Sequence, residues 1–222
     1  MPMSRAVDRV AARLRIPCYE TPTGWKYFGN LLDAGKISIC GEESFGTGSN
    51  HLRGKDGLWA VLFWHNILAA RITSVESLVR SHWREYGRNY YSRHDYEDLD
   101  NRVAENVIAR LRERAPHLKG QRIGSRDISS SDDFRYVDPV NLSTAEHQGI
   151  RIVFSDEARI IYRVSGTTTD QSTLRVYLES CDREPAHRRK RAEGALADLA
   201  VAANRIAGLE EMTGRRKPSV IT

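Results

Sequence analysis

The sequence predicts an α/β unit followed by an α+β unit, and three observations carry that expectation. In the first third of the chain, apolar residues recur at helical spacing around one short β-like run that ends in glycine. Beyond residue 150 the period changes from helical to alternating, and an alanine-rich helical pattern then closes the chain. Helices around a short strand, then strands in series before a last helix, is the order of an α/β layer followed by an antiparallel sheet with packed helices.

Each element follows from its residues. Ala6, Val10 and Leu14 fall at helical spacing, and Pro17 stops that helix. Ile37-Ser38-Ile39-Cys40 reads as a short buried strand running into Gly41, and a loop between a strand and a helix is the usual ligand position in open α/β sheets. A helix begins near Asp56, with Leu58, Val61, Leu62, His65, Leu68 and Ala69 on one face. Thr73-Ser74-Val75-Glu76 has capping-box spacing with Thr73 as N-cap, opening a helix that buries Val75, Leu78, Val79 and Trp83 and ends at Gly87. Residues 88–91 read as a hinge. A helix is expected over 95–114 on Leu99, Val103, Val107 and Leu111, ended by Pro116. Its acidic start, Asp95, Glu97, Asp98 and Asp100, suits the positive end of a helix dipole.

Ile150, Ile152 and Phe154 alternate with Arg151 and Val153, and a Ser155-Asp156-Glu157 turn leads into Arg159-Ile160-Ile161-Tyr162, an antiparallel hairpin. Leu174, Val176 and Leu178 mark another strand. Leu196, Leu199, Ala203, Ile206 and Leu209 give the inner face of a last helix over 188–212. The chain divides on this reading into 1–87 and 88–222.

Composition narrows the function classes. With 222 residues, 40% hydrophobic and 28% charged, the chain is of the soluble globular type. Its longest apolar run, 58–68, is broken by His65 and Asn66 and is too short and polar to span a bilayer. The charged opening segment is unlike a secretory leader, so a cytoplasmic protein with Cys18, Cys40 and Cys181 reduced is expected. A net charge of +5 suits an anionic partner, phosphosugar or nucleic acid. Arg188-Arg189-Lys190-Arg191 lacks aromatic neighbours and precedes a helix, which favours a solvated helix entrance over a nucleic-acid patch.

Two loops carry the chemistry. In Gly41-Glu42-Glu43-Ser44-Phe45-Gly46 the glycines admit close approach, the carboxylates accept hydrogen bonds from sugar hydroxyls, and Ser44 donates or accepts another. Adjacent carboxylates are also compatible with a metal site, an acid–base pair or a solvated turn. Neighbouring side chains in extended backbone point opposite ways, so one of the two faces a ligand. In Arg163-Val164-Ser165-Gly166-Thr167-Thr168 the arginine fork matches phosphate, two hydroxyls flank a glycine whose neighbours can turn their N–H groups inward, and Arg175 follows across a tight loop. A plain turn has the same spacing. Lys55 can reach an anion near the first loop, and Thr23 offers a hydroxyl beside Trp25 and Phe28, which read as core. His51 and His65 lack partners at metal-ligand spacing.

Longer stretches make the sequence resemble the carboxyl-terminal half of the phosphoglucomutases, in the α-D-phosphohexomutase superfamily. They are Pro22-Thr23-Gly24-Trp25-Lys26 with Phe28-Gly29-Asn30, Cys40 through Ser49, Lys55-Asp56-Gly57-Leu58-Trp59-Ala60, Tyr86-Gly87-Arg88-Asn89, and the ending from Pro218 to Thr222. Phe45-Gly46 after Ser44 resembles the glucose-selective subgroup. The resemblance implies a heart-shaped, four-domain protein. This chain would supply an incomplete three-layer α/β mutase domain (1–87, with the sugar loop) and a TATA-box-binding-protein-like antiparallel sheet with helices (88–222, with the phosphate loop).

Carried over by motif, Thr23, Glu42, Ser44, Lys55 and Arg93 would contact substrate, and Arg163, Ser165, Gly166, Thr167 and Arg175 would hold phosphate. The implied reaction interconverts glucose 1-phosphate and glucose 6-phosphate through glucose 1,6-bisphosphate, with Mg²⁺ and a phosphoserine. The phosphoserine loop and the metal loop have no match here, nor do the opening strands of the mutase domain, which would precede Met1-Pro2-Met3. A truncated phosphoglucomutase is therefore expected, inactive alone, without catalytic or metal residues of its own, and paired with an amino-terminal half. The alternative is a non-catalytic phosphosugar-binding or regulatory module. Neither nucleic acid nor membrane is an expected partner. Thr168 and Gln171 depart from the family's glycines in the phosphate loop.

Overall fold

A computed structural model describes residues 1–166, 170–184 and 190–222 and separates the chain into two compact units. The first comprises Met1–Arg88, Tyr136–Ala145 and Arg183–Arg188, and the second Asn89–Arg135, Glu146–Asp182 and Arg189–Thr222.

The first unit is helical around two small ladders. Helix α1 spans Ala6–Leu14 and α2 spans Trp25–Asp33. The second helix is absent from the sequence expectation, which reads Trp25 and Phe28 only as core residues. Its apolar residues Tyr27, Phe28, Leu31 and Leu32 are buried, and Phe28 and Leu32 form a small core with Cys40. Strands β1 (Ile39–Gly41) and β2 (Thr47–Ser49) pair antiparallel, with Gly41 opposite Thr47. The glycine loop is thus the tip of a hairpin, not the end of an open-sheet strand, and Ile39 is exposed.

Helices α3 (Gly57–Arg71) and α4 (Val75–Tyr86) follow. Asp56 caps α3 by accepting from the Trp59 N–H at 2.9 Å. The cap of α4 is Ser74, not Thr73: Ser74 Oγ accepts from the Ser77 N–H, while Glu76 turns to Arg80 one turn along. The burial expected of both helices is not found. No residue of either is buried, and Leu58 is 80% exposed. Their apolar faces match their sequence period but have no covering layer within the described residues. No single described helix is long and apolar enough to cross a membrane, and only α3 with α4, bent by 82°, meet that length and composition together.

The second unit is an antiparallel sheet with helices on one face. Its strands are β3 (Arg88–Asp100), β4 (Arg122–Ile123), β5 (Arg126–Asp133), β8 (Ile150–Phe154), β9 (Arg159–Gly166), β10 (Gln171–Asp182) and β11 (Val220–Ile221). Two-residue strands β6 (Tyr136–Val137) and β7 (Thr144–Ala145) pair with each other in the first unit. The seven strands lie in the order β11-β3-β10-β9-β8-β5-β4. Helices α5 (Asn101–Leu118), α6 (Ala192–Ala207) and α7 (Leu209–Thr213) complete the unit. Even-numbered residues of the central strands (Ile160, Tyr162, Leu174, Val176, Leu178) join Val107, Leu111, Leu199 and Ile206 in one core. This alternation places the odd-numbered residues on the opposite face.

Three sequence expectations are corrected here. Residues 95–100 are strand, not helix: β3 runs to Asp100, and α5 begins at Asn101 with Asp100 Oδ1 accepting from the Arg102 N–H. Tyr90 and Tyr96 face the core from β3, and β11 adds to its edge, so ladder hydrogen bonds outweigh the helical spacing of Leu99 and Val103. Asp95 therefore does not sit at a helix dipole. Pro116 lies inside the last turn of α5, which continues to Leu118; only the N–H to the Arg112 carbonyl is lost that near an end. The closing helix is likewise two, divided at Gly208, whose φ of 63° is left-handed backbone that glycine adopts freely. Arg188 and Arg189 of the basic run lie outside the described residues.

Candidate functional site

In the first unit the hairpin tip is closed by two backbone hydrogen bonds, Glu42 N–H to Gly46 O at 2.8 Å and Phe45 N–H to Glu42 O at 3.2 Å. Phe45 pays for the tight turn with a φ of 65°, an unfavourable region for an aromatic residue, and its side chain is 91% exposed. Glu42 folds back. Its side chain is 7% exposed, Oε2 lies 2.8 Å from Lys55 Nζ, and Oε1 accepts from the Gly24 N–H at 3.2 Å. Ser44 Oγ lies 3.4 Å from both Glu42 Oε2 and Lys55 Nζ. Burial alone would raise the Glu42 pKa. The Lys55 hydrogen bond and charge, together with the Gly24 N–H, outweigh it and hold the carboxyl below its ordinary value.

Glu42, Ser44 and Lys55, read separately from the sequence, thus form one polar group. Thr23 lies next to Gly24, which binds that group, and its hydroxyl is buried without a hydrogen-bond partner.

Gly46 has a further reason beyond open backbone. A Cβ there would stand 2.6 Å from Lys55 Cδ, so the glycine makes room for the lysine stem. Beside the lysine runs a chain of hydrogen bonds that the sequence reading did not connect. His51 Nδ1 lies 2.5 Å from Ser49 Oγ and its Nε2 lies 2.8 Å from Asp56 Oδ2, tying the end of β2 to the α3 cap. The Asp56 N–H donates to Thr47 O at 3.0 Å. The signal was legible as Ser49, His51 and Asp56 around a glycine, but reading His51 only for metal ligation passes over it.

In the second unit the odd-numbered face is layered along the strands. A buried ion pair, Arg159 Nε to Glu179 Oε2 at 2.7 Å, lies at one end. Tyr91 and Tyr177 come next, with ring centroids 6.5 Å apart. Then follows an arginine row: Arg163 on β9 stands directly opposite Arg175 on β10, and Arg93 comes from β3, the next strand. Like charges directly opposite repel, so such a row is costly unless an anion or a carboxylate joins it. Arg163 is steadied by Nε donating to Gln148 O at 3.3 Å and Nη1 to Tyr177 Oη at 3.4 Å. Arg93 Nη2 lies 3.0 Å from Asp95 Oδ2.

Ser165 and Gly166 end β9 opposite Thr173 and Ser172. Thr167 and Thr168 lie outside the described residues. Gln171 opens β10. Among the described residues, Arg163, Ser165 and Arg175 share the odd-numbered face of β9 and β10. Asp95 was missed because its stretch read as helix; the period-two tyrosines of β3 were the signal.

Among the described residues no group of three or more His, Cys, Asp or Glu side chains is placed to hold a metal ion. The residues here do not fit a magnesium site.

Two family models match the chain in succession. A family model described as "Phosphoglucomutase/phosphomannomutase, alpha/beta/alpha domain III" matches residues 1–86, and one described as "Phosphoglucomutase-1, C-terminal domain" matches 88–219. The phosphoglucomutase of Rhizobium radiobacter is 54% identical over 222 residues, which cover all of this chain and 41% of that protein. The chloroplastic phosphoglucomutase of Solanum tuberosum is 49% identical over 232 residues, covering all of this chain and 37% of it. The open-form crystal structure of the Paramecium phosphoprotein parafusin, described as a phosphoglucomutase, superposes with a TM-score of 0.90 at 45% identity, over all of this chain and 39% of that one. The chain thus spans about two fifths of the length of these relatives. With both its units matched in order and more than half its length covered by one family model, the chain belongs to the phosphoglucomutase family.

Proposed function

We propose that this chain supplies the sugar- and phosphate-recognition half of a phosphoglucomutase acting between glucose 1-phosphate and glucose 6-phosphate through glucose 1,6-bisphosphate. The observation that carries the reading is the Glu42–Ser44–Lys55 group beside the unpaired Thr23 hydroxyl, built on a loop that the relatives' family model spans.

Each residue has a role that its chemistry supports. Glu42, held ionised, accepts hydrogen bonds from two hexose hydroxyls; Ser44 and Thr23 complete the set as donors or acceptors. Lys55 keeps Glu42 ionised and offers its remaining N–H groups to an anionic ester. Arg163 and Arg175 grip the phosphate with charge-assisted hydrogen bonds of about 1.5–3 kcal/mol each, aided by Ser165, Gly166 and Thr167. Arg93 adds a third cation to that face. Orientation and charge neutralisation of this kind are the protein's main contribution to phosphoryl transfer.

The nucleophile and the magnesium ion are assigned to a companion amino-terminal half, and no step is drawn through them. When bound, the metal would neutralise charge on the transferring phosphoryl group. A cytoplasmic setting is part of the same proposal.

The experiment is a mutase assay with glucose 1-phosphate, Mg²⁺ and glucose 1,6-bisphosphate, run with and without an amino-terminal half supplied as a second polypeptide. Activity only in the mixture is expected; the mixture staying inactive while both polypeptides are folded and associated overturns the proposal. In calorimetry, Arg163→Ala and Arg175→Ala should each weaken glucose 6-phosphate binding. Glu42→Gln should reduce affinity for glucose 6-phosphate more than for inorganic phosphate, and an equal loss for both argues against the sugar assignment.

A further inference from the structure

Resting on the reading of the arginine row as the phosphate end of the site, we propose that Asp95 is a positioning residue that holds Arg93 and Arg175 toward one shared anion. Asp95 projects from β3 on the same face as Arg93, two residues away, and its side chain is only 5% exposed. Its Oδ2 lies 3.0 Å from Arg93 Nη2, and its Oδ1 lies 4.0 Å from Arg175 Nε, across the strand boundary.

Nothing else described on this face does that work. Arg163 has two neutral acceptors of its own, Gln148 O and Tyr177 Oη. Arg93 and Arg175 do not: the Nε of each is buried without a hydrogen-bond partner among the described residues, and so is Asp95 Oδ1. A carboxylate left so dry with one oxygen unfilled is expensive by itself. It is tolerable between two guanidinium groups, where its charge offsets their mutual repulsion and that of Arg163.

The charge count points the same way. Three guanidinium cations and one carboxylate leave two net positive charges on this face, the complement of a fully ionised phosphate monoester. Removing Asp95 would add attraction for the anion but free two long, rotamer-rich side chains to splay apart. The structure favours the loss of order as the larger effect, because bidentate recognition depends on geometry that a freed fork does not keep.

The test is calorimetric titration of the full chain with inorganic phosphate and with glucose 6-phosphate. Asp95→Ala should weaken both at least tenfold. Asp95→Asn, whose amide oxygen still accepts from Arg93, should weaken them less. The double variant Asp95→Ala with Arg175→Ala should lose less than the two single losses multiplied, because Asp95 acts through that arginine. Tighter phosphate binding in Asp95→Ala, or unchanged affinity with a lowered melting temperature, overturns the proposal. If Asp95→Ala does not fold, Asp95→Asn decides by the same criterion: affinity unchanged or raised refutes. Arg175→Ala separates the two readings. If it leaves phosphate affinity intact, the phosphate site itself is wrong; if it weakens binding while Asp95→Ala does not, only the positioning role falls.

Discussion

Replacing Glu42 by glutamine tests whether the hairpin tip is held by charge. The carboxylate receives the Lys55 ammonium at 2.8 Å, the Gly24 N–H at 3.2 Å and the Ser44 hydroxyl at 3.4 Å. Glutamine retains an oxygen for Gly24 but loses the ion pair and turns an amide donor toward Lys55. A sheltered charge-assisted bond contributes about 1.5–3 kcal/mol. Lys55 is 50% exposed, so solvent screens the pair and roughly half of that is a better figure. The expected loss is about 0.8–1.5 kcal/mol at pH 7, read from urea unfolding of both proteins. The pH dependence gives the sharper check. The Glu42 pKa is lower in the folded protein than in the unfolded chain, so its contribution is fully present above the unfolded value and disappears as pH falls through the folded one. The gap between wild type and Glu42→Gln should therefore close as the pH drops below about 4, given an unfolded glutamate pKa near 4.3. A gap that stays constant down to pH 3 refutes the argument that charge, not shape, holds the loop.

Three further outcomes follow from the packing. Gly48→Ala places a Cβ 2.8 Å from the Gly54 carbonyl and 2.9 Å from the Trp25 ring, so urea unfolding should register a loss of about 1–3 kcal/mol. Asp56→Ala removes both the α3 cap and the partner of His51 Nε2, and amide exchange at Trp59 should accelerate while exchange in the β9–β10 ladder stays unchanged. Leu62→Glu, on the exposed apolar face of α3, should reduce self-association in sedimentation experiments without lowering the unfolding midpoint; an unchanged sedimentation profile in a wild type that does associate would show that another surface is responsible.

The sequence and the structure divide the description unevenly. The hairpin of β8 and β9 and the strand β10 were legible because their apolar residues fall on the helix-covered face, directly alternating in β8 and β10, a local pattern that sequence displays. The helical elements α1, α3, α4 and α6 were legible from apolar spacing and from their terminating or capping residues, although α3 and α4 bury none of theirs. Strand β3 was not. Its partners are β10 and β11, far along the chain, and the helical spacing of Leu99 and Val103 competes locally with the tyrosine alternation that those partners select. Helix α2 hid behind the proline and glycine that precede it.

For the site, residue types alone marked Glu42, Ser44, Lys55, Arg163 and Arg175 as candidates, since carboxylates, hydroxyls and arginine forks in glycine loops limit the chemistry. What tertiary structure decided was which of them meet. Lys55 closes on Glu42 because Gly46 leaves space, and beside it His51 ties two elements together. Arg163 faces Arg175 because a hairpin register puts them opposite, and Asp95 joins them because β3 is a strand. Composition and period are properties of neighbours in sequence; register and side-chain meeting depend on segments brought together only when the sheet forms.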